Sequence, residues 1–549
     1  MYRQIIDPVS NSLGLSAIFA ALPLVVLFVM LGVLRIKAWI ASLVALLISL
    51  LVAIIVYSMP VGQAVLSGTL GAASGFFPIL WIVINAIWIY NITVQTGHFD
   101  VLRRSFSQVS NDRRLQAVII AFCFGALMEA LAGFGTPVAI TAVMLIAIGF
   151  SPMRSAVLAL VANTAPVAFG ALASPITGLA TSSGLDFDTL GSMVGRQTPV
   201  LSVFVPLVLV GIVDGWRGVR QTWMPAIVTG ASFGLAQYVT SNYISVSLAD
   251  VVGSLFSALV LVVLLRGWQP SEVLATETGA AVVAGGATDT PTPEFSRRVE
   301  HPDSRGEVVK AYAPYVIIIA IFVVAQISGI KAQLDKTIVT FNWPGIHIQA
   351  PDGTASTIQA FKFNWLNTPG SLLLIAGVVT MIALRVGIPD ALRAYGRTLQ
   401  QLVWAIITVM AVVGVAFVMN ASAQTVTLGN WLAGAGGLFA IISPIMGWLG
   451  VAVSGSDTAS NVLFGGLQVA AAHKAGLDQV LMAGGNSSGG VLGKMISPQN
   501  LAIAASAVGL PGKEGDIFRR VFLWSLVFLA GMCLLVLLQS TAVLSWMIP

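Results

Sequence analysis

Met128-Glu-Ala-Leu-Ala-Gly-Phe-Gly-Thr-Pro-Val-Ala-Ile140 is apolar enough to lie in a lipid bilayer and too interrupted to cross one as a plain helix. Gly133, Gly135 and Pro137 fall within five residues of one another, and Glu129 sits one helical turn before the first of them. In a helix interior, glycine costs about 1 kcal/mol and proline about 3 kcal/mol relative to alanine. A broken helix at membrane depth leaves amides and carbonyls unpaired. That is tolerated only where they line a polar cavity or are buried in protein. The reading of this stretch therefore predicts a membrane protein with broken or re-entrant helices around an internal site.

The rest of the chain agrees. Of 549 residues, 57% are apolar and 9% charged, against about 25% charged in soluble domains, and the mean hydropathy is +0.92. The expected fold class is an all-α polytopic membrane protein of about fourteen transmembrane helices. Apolar runs long enough to span fall near 13–34, 38–57, 77–95, 198–213, 223–240, 246–265, 311–330, 369–386, 398–420 and 518–540. Two further regions, 115–182 and 434–508, are apolar but rich in Gly, Pro, Ser, Thr and Asn, and resist division into clean helices. The first run lacks a small-residue cleavage site, so no cleaved signal peptide is expected. Cys123 and Cys533 each lie in an apolar segment, and His98, His301, His347 and His473 are scattered. No disulfide framework, metal site or cofactor is expected. The net charge of +5 reads as cytoplasmic loop charge and not as a nucleic-acid face.

Basic residues orient the chain. Arg35 and Lys37, then Arg103, Arg104, Arg113 and Arg114, then Arg217 and Arg220 fall on one face, while the turn 57–66 carries no charge. Arg297, Arg298, Arg305 and Lys310 join them, as do Arg385, Arg393 and Arg397, and finally Lys513, Arg519 and Arg520. Both termini then fall outside and the number of spans is even. The domain reading is a membrane half 1–265 with a core at 115–213, a cytoplasmic linker 266–310, and a second half 311–549. That half carries an extracytoplasmic cap, 331–368, and a core at 434–540.

The two irregular regions resemble each other. Asn163, Gly170, Ser174, Pro175 and Arg196 recur 323 positions later as Asn486, Gly493, Ser497, Pro498 and Arg519. Upstream, Gly133 and Thr136 recur 322 positions later as Gly455 and Thr458. Gly alone would match often in such a background, whereas Asn, Pro and Arg at one offset would not. The first copy follows an inside loop, 96–114, and the second an uncharged outside loop, 421–433, so the copies are expected to be inverted. Inverted repeats with Gly/Pro-interrupted segments at matching positions point to a transporter's binding site, where half-helix N-termini offer positive ends to an anion.

Three charges lie deepest in apolar context: Glu129, Asp457 and Lys494. An ionisable group at a membrane-helix centre costs roughly 2.5–3.5 kcal/mol on insertion scales, so each needs a reason. The bland reason is an ion pair or a hydrogen-bonding post for broken backbone. The functional readings are sharper. Lys494 is a cation for a substrate carboxylate. Asp457 is a proton carrier or cation ligand, since a low-dielectric site favours the neutral form of a carboxyl, and Glu129 has the same two readings. Ser456, Thr458, Asn461, Asn163, Asn486 and Thr136 supply neutral hydrogen bonds to a small solute, with Ser454 and Ser460 as further candidates. Gly133, Gly135, Pro137, Gly455, Gly493 and Pro498 shape the backbone. Arg154, His473 and Lys474 fall at segment junctions. The stretch around Lys494 is not a phosphate loop, because Ser488 stands where that motif needs glycine and Met495 where it needs Ser or Thr.

These stretches resemble the bacterial lactate permease family. The likeness is carried by Met128–Ile140, by Asn163-Thr-Ala-Pro-Val-Ala-Phe-Gly170, by Ser454-Gly-Ser-Asp-Thr-Ala-Ser-Asn461 and by Gly489-Gly-Val-Leu-Gly-Lys-Met-Ile-Ser-Pro498. It covers essentially the whole chain apart from the linker. It implies uptake of L-lactate, and usually D-lactate and glycolate, with protons as coupling ion across the bacterial inner membrane. The partners are thus a small monocarboxylate, protons and lipid. By analogy of fold alone it suggests an elevator-like motion, with a rocking mechanism left open. Left open are sodium coupling, another monocarboxylate, and oligomeric state. A channel is the first rival, but two carboxylates and a lysine make neither a charged ring nor a carbonyl filter. An enzyme is the second, but no histidine is placed to activate a serine.

Overall fold

The structure is a computed structural model. It describes residues 2–549 except 108, 134, 275–302, 352 and 355, so most of the linker expected at 266–310 lies outside the described residues. Among them, ten helices are long and apolar enough to cross a membrane, or eleven if the bent pair Pro152–Ala162 and Val167–Ser183 is one span. The all-α polytopic class stands, and the count of fourteen is not confirmed. The number depends on how the two irregular regions are divided, and Phe187–Tyr243 folds back on itself within one run of helix. Asp214 and Gly215 leave helical geometry there. Arg196 Nε then donates to Asn242 Oδ1 at 2.8 Å, and Thr198 Oγ1 to Gln237 Oε1 at 3.1 Å. These contacts make 198–213 and 223–240 antiparallel, as the apolar runs predicted.

Side-chain ties group the loops into two faces. On the one that the loop charges place outside, Tyr2 and Arg3 pair in parallel with Ile348 and Gln349, while Val339–Asn342 and Ala360–Phe363 form an antiparallel ribbon. Segment 331–368 is thus an ordered cap with short strands. Gln63 Nε2 donates to Gly345 O at 2.8 Å, and Thr427 Oγ1 to Ile6 O at 2.6 Å. On the inner face, Arg104 bonds Asp303 at 2.6 Å. Arg114, only 1% exposed, is held by Asp112, Asp214, Gln221 and Glu272 O. The helix Arg305–Ala325 starts inside the expected linker, because Ser304 and Glu307 form a capping box there.

The two repeats have the same plan. Each is a hairpin whose two arms return to one face, followed by a pair of half-helices that continues across. The first hairpin is Arg113–Leu131 with Thr136–Ala147. Its two ends share the inner face, where the Arg113 guanidinium donates to Gly149 O. The second is Phe439–Ser454 with Asp457–Ala475. Its open end lies at the outer face, where the neighbouring helix Gln424–Leu432 places Gly429 against Ala470 and Ala471. The crossing pairs are Pro152–Ala162 with Val167–Ser183, bent by 65°, and Gln479–Gly493 with Pro498–Ala507. Packing is reciprocal. The return arm Asp457–Ala475 lies on Gly170–Ser183, and the return arm Thr136–Ala147 lies on Pro498–Ala507. This is the exchange a two-fold relation between inverted copies produces.

Candidate functional site

The four breaks meet around one cavity. Gly133 (φ +50°), Gly135 (φ +83°) and Gly455 (φ +75°) turn the hairpin tips through left-handed backbone. Ser497 caps the half-helix Pro498–Ala507 by accepting from Asn500 N at 3.3 Å, with Pro498 at its first position. Pro137 is the second residue of the return arm of the first hairpin, which starts after Gly135. In the first crossing pair, Ala171, Leu172 and Ala173 are all left-handed, with φ from 42° to 63°. Three consecutive non-glycine residues in that region store backbone strain of the kind found at functional sites.

Beside these breaks a cavity of about 810 Å³ runs from the turn Arg35–Lys37 to Glu129, Asp457 and Lys494. One wall is built from the helices Leu13–Val33, Ala38–Val56 and Ile388–Ala421, where Trp39 stacks on Trp404 at 4.9 Å. The other wall is the hairpin tips and crossing breaks. Its lining reaches the face of Arg35 and Lys37 and, among the described residues, includes none from the cap.

At the closed end, Lys494 Nζ lies 2.6 Å from Glu129 Oε1, with both side chains buried. Lys494 opens the single turn Lys494–Ile496 that follows Gln479–Gly493, so the pair ties the first hairpin to the second crossing pair. Asn163 Nδ2 donates to Glu129 Oε2 at 2.8 Å, while Asn163 Oδ1 is buried without a partner. Gly170 makes room for the carboxylate, since a Cβ there would lie 2.7 Å from Glu129 Oε1.

Asp457 begins the return arm after Ser456, whose Oγ accepts from Ala459 N at 3.2 Å. Asp457 Oδ2 accepts from Ser487 Oγ at 2.9 Å and Asn461 Nδ2 at 3.2 Å. Its Oδ1 has no hydrogen-bond partner and faces Gly490, where a Cβ would not fit. Behind it runs a buried amide chain. Asn486 Nδ2 donates to Asn461 Oδ1 at 2.9 Å, and Gln468 Nε2 to Asn486 Oδ1 at 3.1 Å.

The residues singled out from sequence therefore divide. Glu129, Gly133, Gly455, Ser456, Asp457, Thr458, Lys494 and Pro498 line the cavity. Asn163, Asn461 and Asn486 are buried behind it as supports, and Thr136, Gly135, Pro137 and Gly493 lie outside the lining. Gly493 serves packing, against Trp448 O. Arg154 is a junction residue, donating to Val213 O at 3.2 Å. Sequence reading missed Gly170, Ser174 and Ser487. Ser174 Oγ lies 3.4 Å from Thr458 Oγ1, and all three stand inside motifs whose neighbours had been chosen.

Comparison with known proteins agrees over the full length. A family profile described as L-lactate permease matches residues 16–543. An L-lactate permease of Bacillus subtilis (strain 168) is 39% identical over 570 aligned positions, covering 100% of both chains. The glycolate permease GlcA of Escherichia coli (strain K12) is 39% identical over 543 positions, covering 96% of both chains. The crystal structure of the Alcanivorax borkumensis YdaH transporter overlays with a TM-score of 0.42 at 13% identity, covering 96% of this chain and 98% of that one.

Proposed function

The chain belongs to the L-lactate permease family and is a multi-pass transporter of the bacterial inner membrane, and we propose that it takes up L-lactate, together with D-lactate and glycolate, by proton symport. The observation that carries the reading is Lys494, a buried ammonium at the closed end of a cavity that opens to the inner face. A charge-assisted hydrogen bond to a carboxylate is among the strongest single contacts a small anion can make, and Ser174, Ser456 and Thr458 line the same cavity. The coupling ion is a proton carried by one of the two carboxyls on the cavity, Asp457 or Glu129. A lone anion entering a negative interior works against about 2.3 kcal/mol per 100 mV, which a co-transported proton cancels.

The test is uptake of labelled lactate into proteoliposomes, with glycolate, pyruvate and acetate as competitors. Saturable uptake driven uphill by an imposed pH gradient at zero membrane potential, and inhibited by glycolate, is expected. Downhill flux alone would mean a channel, and uptake driven only by a sodium gradient would replace the proton.

A further inference from the structure

We infer that Glu129 is the coupling residue, and that it works by holding, as an internal carboxylate, the place on Lys494 that the substrate carboxylate takes. This rests on the reading of the chain as a proton-coupled monocarboxylate transporter.

The geometry supports it in three ways. Lys494 Nζ is engaged by Glu129 Oε1 at 2.6 Å, so a substrate anion reaching the end of the cavity meets a cation already neutralised. Adding an anion beside the intact pair would leave a net negative charge in a buried, poorly solvated place. Adding an anion and a proton together leaves the charge of the pair and its guest at zero. The proton goes to Glu129, the Glu129–Lys494 bond opens, and a substrate carboxylate oxygen accepts from Lys494 Nζ. Release inside reverses each step. Empty and loaded forms then carry the same charge, which lets both rearrange within the membrane.

Second, the site is ready for the neutral acid. Asn163 donates Nδ2 to Glu129 Oε2 while its own Oδ1 has no partner. A half-turn of the amide presents that oxygen as acceptor for the new Glu129 O–H. The same side chain thus serves both protonation states, as donor to the carboxylate and acceptor from the acid.

Third, Asp457 is built differently. Its Oδ2 is satisfied by neutral donors, Ser487 and Asn461, and its Oδ1 is closed off by Gly490. A proton on Asp457 releases no cation for a substrate. The carboxyl chosen first from sequence as the carrier is therefore assigned to holding the hairpin tip, and the alternative takes its place.

The experiment measures binding of labelled lactate to the purified full chain between pH 6 and pH 8, with proton uptake on binding followed in weak buffer. Wild type should bind about one proton per lactate and lose affinity toward tenfold per pH unit on the alkaline side. Glu129→Gln should bind without proton uptake, with a flat pH profile, and should exchange lactate without accumulating it on a pH gradient. Asp457→Asn, whatever its affinity, should keep the proton uptake and the slope. A sloping profile in Glu129→Gln overturns the inference. So does loss of proton uptake in Asp457→Asn, which decides the matter even if Glu129→Gln fails to fold. Lactate binding by wild type with no proton uptake at all would instead sink the symport reading itself.

Discussion

Lys494 and Ala171 stand at the same place in the two repeats, 323 positions apart, and only one of them carries a charge. Lys494 opens a short right-handed turn, whereas Ala171 (φ 42°) begins three left-handed residues. Glu129 likewise corresponds to Val451 at the offset of 322, and Asp457 to Gly135. The scaffold is two-fold and its chemistry is not. One cation from the second repeat faces one anion from the first, so the pair is a buried ionic tie between the two copies.

Breaking that pair from one side should be worse than removing it. Lys494→Gln should weaken lactate binding by roughly ten- to hundred-fold, the loss of a charge-assisted hydrogen bond of about 1.5–3 kcal/mol. It also leaves Glu129 buried without its cation, which destabilises by about 3–5 kcal/mol. The double variant Glu129→Gln/Lys494→Gln should recover thermal stability in detergent without recovering transport. Equal stability of the single and double variants would show that the pair carries no such coupling.

Gly170→Ala should abolish coupled uptake while the protein still inserts. The added methyl occupies the space of Glu129 Oε1 and displaces the carboxylate from Lys494. Overpacking of this kind costs about 1–3 kcal/mol, which a protein of this size survives. Transport indistinguishable from wild type would mean that the carboxylate has room to move that the structure does not show.

The inner end of the first hairpin depends on Arg114. Arg114→Ala leaves Asp112 and Asp214 without their guanidinium, and a loss of about 3–5 kcal/mol is expected as a lowered unfolding midpoint. Burial opposes the charge on Asp112, yet the Arg114 side chain and the N–H groups of Leu274 and Arg114 hold its carboxyl below the ordinary 3.8. The folded protein thus binds that proton less readily than the unfolded chain. The stabilisation is complete above the ordinary value and fades as pH falls below it. The midpoint of the wild type should drop more steeply than that of Arg114→Ala on acidification below about pH 4.

The inversion has a direct chemical check. Ser151 lies at the inner base of the first hairpin and Lys474 at the outer base of the second, and both are exposed. Cysteines placed at these two positions, in a chain lacking Cys123 and Cys533, should react with an impermeant thiol reagent from opposite sides of the membrane. Reaction of both from the same side would exclude inverted copies.

Much of this was readable before any coordinates. Glycine and proline located three of the four breaks, at Gly133, Gly135 and Pro137, at Gly455, and at Gly493 and Pro498, because both residues are poor helix formers; the left-handed run at Ala171, Leu172 and Ala173 itself carries no such mark. Rare charges in apolar context located Glu129, Asp457 and Lys494 for the same energetic reason. What spacing could not supply was rotation about each helix. Asn461 follows Asp457 by one helical turn, so it lies on the same stripe and bonds to Asp457 instead of to the cavity. Asn486 and Ser487 are neighbours pointing about a quarter-turn apart; the first reaches Asn461 and the second Asp457. The count of spans was not legible either, because a broken arm has the composition of one that crosses.

The mouth of the cavity lies on one side, and among the described residues its charged flanking residues are Arg35 and Lys37. This gives the molecule a handedness toward poisons. A carboxylate with a tail too bulky to be enclosed, such as an aryl-substituted 2-hydroxy acid, could seat its head near Lys494 and leave its tail in the vestibule. It would then stall the cycle as a plug, from the cytoplasm alone. Applied to right-side-out vesicles it should be inert, and applied to everted ones it should inhibit, with a potency that salt and the loss of those two cations both erode.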